Sequence, residues 1–494
     1  MAGKSTFETI GKTICEEYLG FAPTTNATKP PHVANGLFRL CTGETCNTSD
    51  VHEWVVSENR SKSISSEEIK NKYQFILENG FNEKTDNIKE FRFLLDEIFN
   101  QDNTVYPNYE YSVMNISSHW LIKKKLNSEV NIGDFLFEVL SKKINGNRSP
   151  IIDLIREILE IDNDDLTKLI KPIIAFPSDQ EKRILSDIEY PLDEDIKWDI
   201  CKQTIREGFD NLANTLSITG QTKNNLLFLE RVVNYSLFAT FFYLVHANES
   251  LNIKVKAPIV LDASGDIESI KKASEQSYTT AKRSVEDYFV EAIKQIVSND
   301  ISSNNDRLCR NWIEEIVGTS TDKELDEINA VKSYYKSFLA ENTNDPVYAL
   351  SRALQIAVYT FVYKNNSPSD FCRVLGVRSG LIGPKGNRAK NKRYLMNSFT
   401  LETITLSVLS KDDLETGIEM RDLAIKLFDK YQFIIGADVD SEYKYLTECN
   451  IAQSTPGDLR GDLSINAQAF ANTLISLGLG KQYADGVTLI GWRL

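Results

Sequence analysis

Residues Ile465 to Trp492, INAQAFANTLISLGLGKQYADGVTLIGW, decide how the end of this 494-residue chain is read. Apolar residues recur at helical spacing from Ile465 to Leu477, and Gly478 supplies a helix stop. Asp485-Gly486 then stands between two apolar runs, the strongest short hairpin signal in the chain, because both residues tolerate the backbone of a tight turn. A helix followed by a terminal hairpin is the closing order of a winged helix, and that fold is expected here. The helix is almost uncharged. Asn466, Gln468 and Asn472 are its amide side chains suited to base edges.

Upstream, Asp345-Pro346 and Ser367-Pro368 each pair a capping side chain with a proline at the first helical position, which predicts helices over DPVYALSRALQIAVYTFVYKN and DFCRVLGV. Between the second of these and a helix expected from Ser398 to Leu409 lies the most informative stretch. Phe371 to Leu401 is thirty-one residues without Asp or Glu, and it carries Arg373, Arg378, Lys385, Arg388, Lys390, Lys392 and Arg393. Gly376, Gly380, Gly383, Gly386 and Pro384 predict a loop rather than a helix, with backbone N–H groups open to phosphate. Arg378, Lys385, Arg388, Lys390, Lys392 and Arg393 are the candidate phosphate contacts, and Tyr394 is a candidate for stacking on a base.

The charge distribution isolates this region further. The whole chain has a net charge of −14, whereas residues 346–494 hold 17 Lys and Arg against 15 Asp and Glu, net +2, leaving −16 for residues 1–345. That balance excludes a protein that coats nucleic acid over its whole surface. It suits an acidic body that docks partner proteins and a C-terminal region that meets a polyanion.

The rest of the chain reads as helical. Amphipathic helices are expected at Phe7–Tyr18, over residues 63–79, at Asn87–Asn100 and at Lys223–Ala247, the last containing the apolar run Tyr235–Val245. That run is too short to span a bilayer and predicts a buried core helix, so no membrane partner is expected. Ile253 to Ser264 is the strand candidate of the middle region, and Asp262 at its end is a candidate metal ligand for chemistry on nucleic acid. His32, Cys41, Cys46 and His52 are the one set with zinc-ligand composition, although paired C-x2-C knuckles are absent; no cofactor is otherwise expected. Seven scattered cysteines and no secretory leader predict a reducing, cytoplasmic setting. The expected fold is mainly α, a multi-domain helical body with a small β element: an N-terminal mixed domain over 1–148, a helical middle domain over 149–345 and a winged-helix-like domain over 346–494.

GLIGPKGNRAKNKRY, LFDKYQFIIG and FANTLISLGLGKQYADGVTLIG together resemble proteins encoded in bacterial anti-phage defence islands. The resemblance covers roughly the last 150 residues and brings no catalytic residues with it. It implies an accessory or sensor subunit of an antiviral complex. The function expected from the sequence is therefore a non-enzymatic, DNA-binding or more broadly nucleic-acid-binding scaffold working with partner proteins. A metal-dependent enzyme acting on nucleic acid and a purely structural protein-docking oligomer are the alternatives.

Overall fold

In a computed structural model the chain is mainly helical with a few short strands, as the periodicity predicts. The structure describes residues 6–24, 28–42, 113–160, 199–217, 224–247 and 256–491, except 117–119, 124, 320–321, 342–343, 365, 387–389, 456 and 485, together with isolated positions elsewhere. The helix expected over 63–79, most of Asn87–Asn100, and Cys46, His52 and Arg388 lie outside the described residues. Two compact units are present. The larger comprises Met1–Asn26, Ile196–Gln221 and Asn234–Leu494, the smaller Ala27–Asp195 and Thr222–Val233.

Helix α1 (Thr6–Thr13), continued by wide turns to Leu19, belongs to the larger unit. The smaller unit is built on α2 (Pro30–Thr42), a short antiparallel pair β1 (Val113–Ile116) and β2 (Leu121–Lys123), α3 (Ile132–Ser141) and α4 (Pro150–Glu160). Helix α2 packs on α3 and α4 through Val33, Leu37 and Phe38, all buried. Its approach to α3 is set by Gly36 and Gly133, since a Cβ on Gly133 would lie 2.4 Å from the Gly36 backbone. Inside this unit Glu129 is fully buried. It accepts from Asn35 Nδ2 (2.7 Å), the Leu126 N–H (3.1 Å) and Arg39 Nη2 (3.0 Å).

The larger unit continues with α5 (Ile200–Asn214) and with α6 (Asn225–His246) from Asn234 onward. Tyr235, Leu237, Phe238, Phe241 and Leu244 are all buried, so the apolar run forms the expected core helix. Among the described residues no helix is long and apolar enough to cross a membrane. The next segment, Ala257 to Leu261, is buried throughout and supplies β3 (Ile259–Val260). An unbroken apolar run of this kind belongs to a parallel strand covered on both faces.

After β3 come α7 (Glu268–Asp300), α8 (Asp306–Thr319), α9 (Asp322–Glu341), α10 (Pro346–Ala357) and α11 (Pro368–Arg378). The hairpin β4 (Ile382–Gly383) and β5 (Arg393–Tyr394) follows, then α12 (Ser398–Val408), α13 (Lys411–Thr416), β6 (Ile418–Glu419) and α14 (Met420–Tyr431). The chain closes with β7 (Phe433–Ile434), α15 (Val439–Glu448), α16 (Leu459–Ser476), β8 (Gly480–Gln482) and β9 (Thr488–Ile490). Asp345 and Ser367 cap α10 and α11 as their sequence positions predict, accepting from the N–H groups of Tyr348 and Asp370. Helix α16 begins earlier than the apolar periodicity suggested, because Asp458 caps it by accepting from the Gly461 N–H at 3.2 Å.

Strand β7 pairs in parallel with β3, Ile259 opposite Phe433 and Val260 opposite Ile434. Helix α7 lies against these strands with small side chains, Ala273, Ser274, Ser277 and Ala281. The Ser277 hydroxyl accepts from the Val260 N–H (3.1 Å) and that of Ser274 from the Tyr394 N–H (2.9 Å). Helix α7 also packs on α10, α11 and α16, so the middle and C-terminal parts of the sequence share one core. Helices from either side of residue 345 therefore pack together. At the C-terminus β8 and β9 form the hairpin expected around Asp485-Gly486, and β6 pairs with the other edge of β9, giving the order β6-β9-β8.

Candidate nucleic-acid interface

The acid-free stretch is not one loop. Arg373 and Arg378 lie within α11, and Gly376 does not break that helix. Its missing side chain makes room for Ile382 of β4, whose Cδ1 would lie 2.2 Å from a Cβ at this position. The helix ends where Gly380 takes the left-handed backbone, at φ +78°. The chain then enters the antiparallel pair β4–β5, with Ile382 opposite Tyr394 and Gly383 opposite Arg393. Residues 384–386 and 390–392 lie at the tip. Lys385 and Lys390 are exposed there, and neither has an ion-pair partner among the described residues.

The base of the hairpin is fixed by a buried carboxylate. Asp262 follows β3, its side chain is 0% exposed, and its Oδ2 accepts from Arg393 Nε at 2.6 Å; the Arg393 side chain is 12% exposed. Asp262 Oδ1 accepts from the Gly265 N–H (2.8 Å) and the Ser264 hydroxyl (3.3 Å), while the Asp262 N–H donates to Tyr394 O (2.9 Å). Both carboxylate oxygens are thus engaged, and Asp262 is an anchor for the hairpin rather than an open metal ligand. The same turn is held from α16. Asn466, fully buried, accepts from the N–H groups of Ala263 and Ser264 and donates to the carbonyls of Leu261 and Ile435. It is therefore structural and not available to base edges.

Four other expected contacts take different positions. Tyr394 is fully buried, its ring edge-on to Phe241 (6.3 Å) and Tyr278 (6.0 Å), so no base reaches it to stack. Burial also pushes its phenol far above the ordinary range. Arg393 is committed to Asp262. Lys392 folds back over its own loop and donates to the carbonyls of Pro384 and Gly386, which closes the tip. Its ammonium is pushed below the ordinary lysine value by desolvation and by the neighbouring Arg373 charge. Arg378, half-buried at the end of α11, has its Nη1 buried without a hydrogen-bond partner, and desolvation lowers its value. Among the described residues, the exposed cations of the tip are thus Lys385 and Lys390.

From Ser464 onward the exposed face of α16 carries Ser464, Ile465, Gln468, Asn472 and Ser476, without a charge; Arg460, in its first turn, is exposed and paired with Asp440. Gln468 Nε2 donates to Asn472 Oδ1 at 3.1 Å, so these two amides are paired with each other.

The zinc set does not assemble from its described members. His32 and Cys41 lie on one helix nine residues apart, which at about 100° per residue puts them on opposite faces. His32 Nδ1 accepts from the Lys29 N–H (3.1 Å), and burial raises the Cys41 thiol far above its ordinary value, with Arg148 only partly opposing. A thiol that resists ionisation is a poor metal ligand. Among the described residues no group of three or more His, Cys, Asp or Glu is placed to hold a metal ion. No family model matches the chain, and no curated protein matches it significantly.

Proposed function

We propose that this protein is a non-enzymatic nucleic-acid-binding subunit of a multiprotein complex, and that the tip of the β4–β5 hairpin contacts the phosphate backbone. The observation that carries the reading is the Asp262–Arg393 anchor, which consumes one cation of the basic stretch to hold the hairpin while Lys385 and Lys390 remain exposed and form no ion pair among the described residues. A solvated charge run needs no such mount. Arg388 lies between the two lysines in sequence, outside the described residues. DNA or RNA would be held through phosphate, with α16 contributing little base readout because Asn466 is buried and Gln468 is paired with Asn472.

We read Ser398 to Ile490 as winged-helix-like. The order β6-β9-β8, in which the first short strand lies beside the last, and the helix preceding the terminal hairpin support this. The insertion of β7 and α15 between α14 and α16 is a departure from the simple pattern. The α16 face after the first turn, uncharged and with Ile465 58% exposed, suits a protein partner better than a phosphate backbone. With the resemblance to defence-island proteins, this favours an accessory or sensor role beside partner proteins in the cytoplasm.

Fluorescence anisotropy with a short labelled DNA duplex tests the reading. The triple variant Lys385→Gln, Arg388→Gln, Lys390→Gln should bind much more weakly than the parent at low salt. Equal affinity would remove the hairpin as the contact.

A further inference from the structure

The β4–β5 hairpin pairs its main chain over a short register. Ile382 faces Tyr394 and Gly383 faces Arg393, and the next residue of the outgoing arm is Pro384, which has no N–H to extend the ladder. A two-stranded ribbon of this length holds its turn weakly by itself. Lys392, which the register places across from Pro384, supplies a link from its side chain. Its ammonium donates to the Pro384 carbonyl and, at 2.9 Å, to the Gly386 carbonyl. A charged donor on main-chain acceptors makes a stronger bond than the neutral ladder bond that is missing.

The tip has two reasons to need such a link. Gly386 on one arm and Asn391 on the other both take positive φ, +117° and +64°, so the local backbone does not favour this turn without support. Lys385 stands on the same arm as Gly386 and Lys390 on the same arm as Asn391, both exposed, so spreading the arms lowers the repulsion between their charges. The basic stretch therefore divides by role. Arg393 fixes the base of the hairpin through Asp262, Lys392 joins the arms, and Lys385 and Lys390 face solvent.

We propose that Lys392 is a positioning residue for phosphate binding: its ammonium ties the two arms of the tip together and holds Lys385 and Lys390 ready for a nucleic-acid backbone, without touching phosphate itself. This rests on the reading of the tip as a phosphate contact and deepens it. A tip closed in advance loses less freedom on binding. One that is closed for only about a fifth of the time binds about fivefold more weakly.

A salt series on a short labelled DNA duplex separates holding from contact, because a lost contact changes the slope of log affinity against log salt and a lost support lowers the whole line. Lys392→Met removes the donor. Gly386→Ala, at a backbone angle that alanine resists, displaces an acceptor without changing any charge. Each should weaken binding about fivefold at every salt concentration, with a slope within about 0.3 of the parent's. Lys392→Arg keeps a charged donor and should bind within about twofold of the parent. A Lys392→Met slope smaller by about 0.9 would make Lys392 a phosphate contact and overturn the proposal. Parent-like binding by Lys392→Met or by Gly386→Ala, or weak binding by Lys392→Arg, would also overturn it, and the tip reading would still stand if the tip triple variant binds weakly. If the triple variant binds like the parent, both readings fall. Melting of the three variants close to the parent is expected for a surface hairpin; a large drop for Lys392→Met would assign its ammonium to the fold and overturn the proposal.

Discussion

Each unit buries one carboxylate against one arginine, and the two pairs are nearly the same in kind. In the smaller unit Glu129 meets Arg39 at 3.0 Å with side-chain exposures of 0% and 11%; in the larger Asp262 meets Arg393 at 2.6 Å with 0% and 12%. Both carboxylates also accept from backbone N–H groups, and in both units a buried asparagine binds nearby main chain, Asn35 to Lys123 and Asn466 to the turn after β3. What differs is the attachment. Arg39 sits inside a helix whose other residues are mostly core, whereas Arg393 ends a hairpin whose tip is cationic and exposed. A buried ion pair is therefore a general means of fixing backbone in this protein, and its functional meaning comes from what it holds.

Acid should separate the two units most strongly. His246, in the larger one, is buried against Phe242 with Nε2 on Ala257 O, and burial lowers its value from 6.5 to about 3. The fold holds the neutral ring, so the unfolded chain binds the extra proton between those values. Stability is complete above pH 6.5 and falls as the pH drops toward 3, by about 5 kcal/mol in total for this group. Urea titrations across that range should show the loss, and His246→Phe should flatten it. An unchanged pH profile in the variant would show that His246 does not carry it.

The next largest effect comes from breaking each pair. Asp262→Ala and Glu129→Ala should each cost about 3–5 kcal/mol, because each leaves a buried guanidinium without its partner. Only Asp262→Ala should also weaken nucleic-acid binding. If Glu129→Ala weakens it equally, the comparison loses its point. Smaller still is Gly133→Ala, expected to cost about 1–3 kcal/mol by forcing α3 from α2 with DNA affinity unchanged, as read by melting and anisotropy.

Local chemistry was legible in the sequence and distant pairing was not. Asp345, Ser367 and the Asp485-Gly486 turn act within a few residues of themselves, so their caps and hairpin follow from spacing alone. The hairpin over 382–394 was read as loop because glycines ordinarily break structure. Here Gly376 is kept inside a helix by Ile382, and β5 is held by Asp262, which lies 131 residues earlier. Tyr394 looked like a surface aromatic in a basic run, yet Phe241 and Tyr278, far away in the chain, enclose it. The mainly helical class followed from periodicity. The two-unit division did not, since α7 joins cores that the sequence order keeps apart.

The central claim is that the mounted hairpin meets phosphate, and the salt dependence of binding tests it most directly. For Lys385→Gln, Arg388→Gln, Lys390→Gln, the slope of log affinity against log salt on duplex DNA should fall by about 2.7, three contacts at about 0.9 each, while stability changes by less than about 0.5 kcal/mol. A variant with the parent's slope and affinity would contradict it.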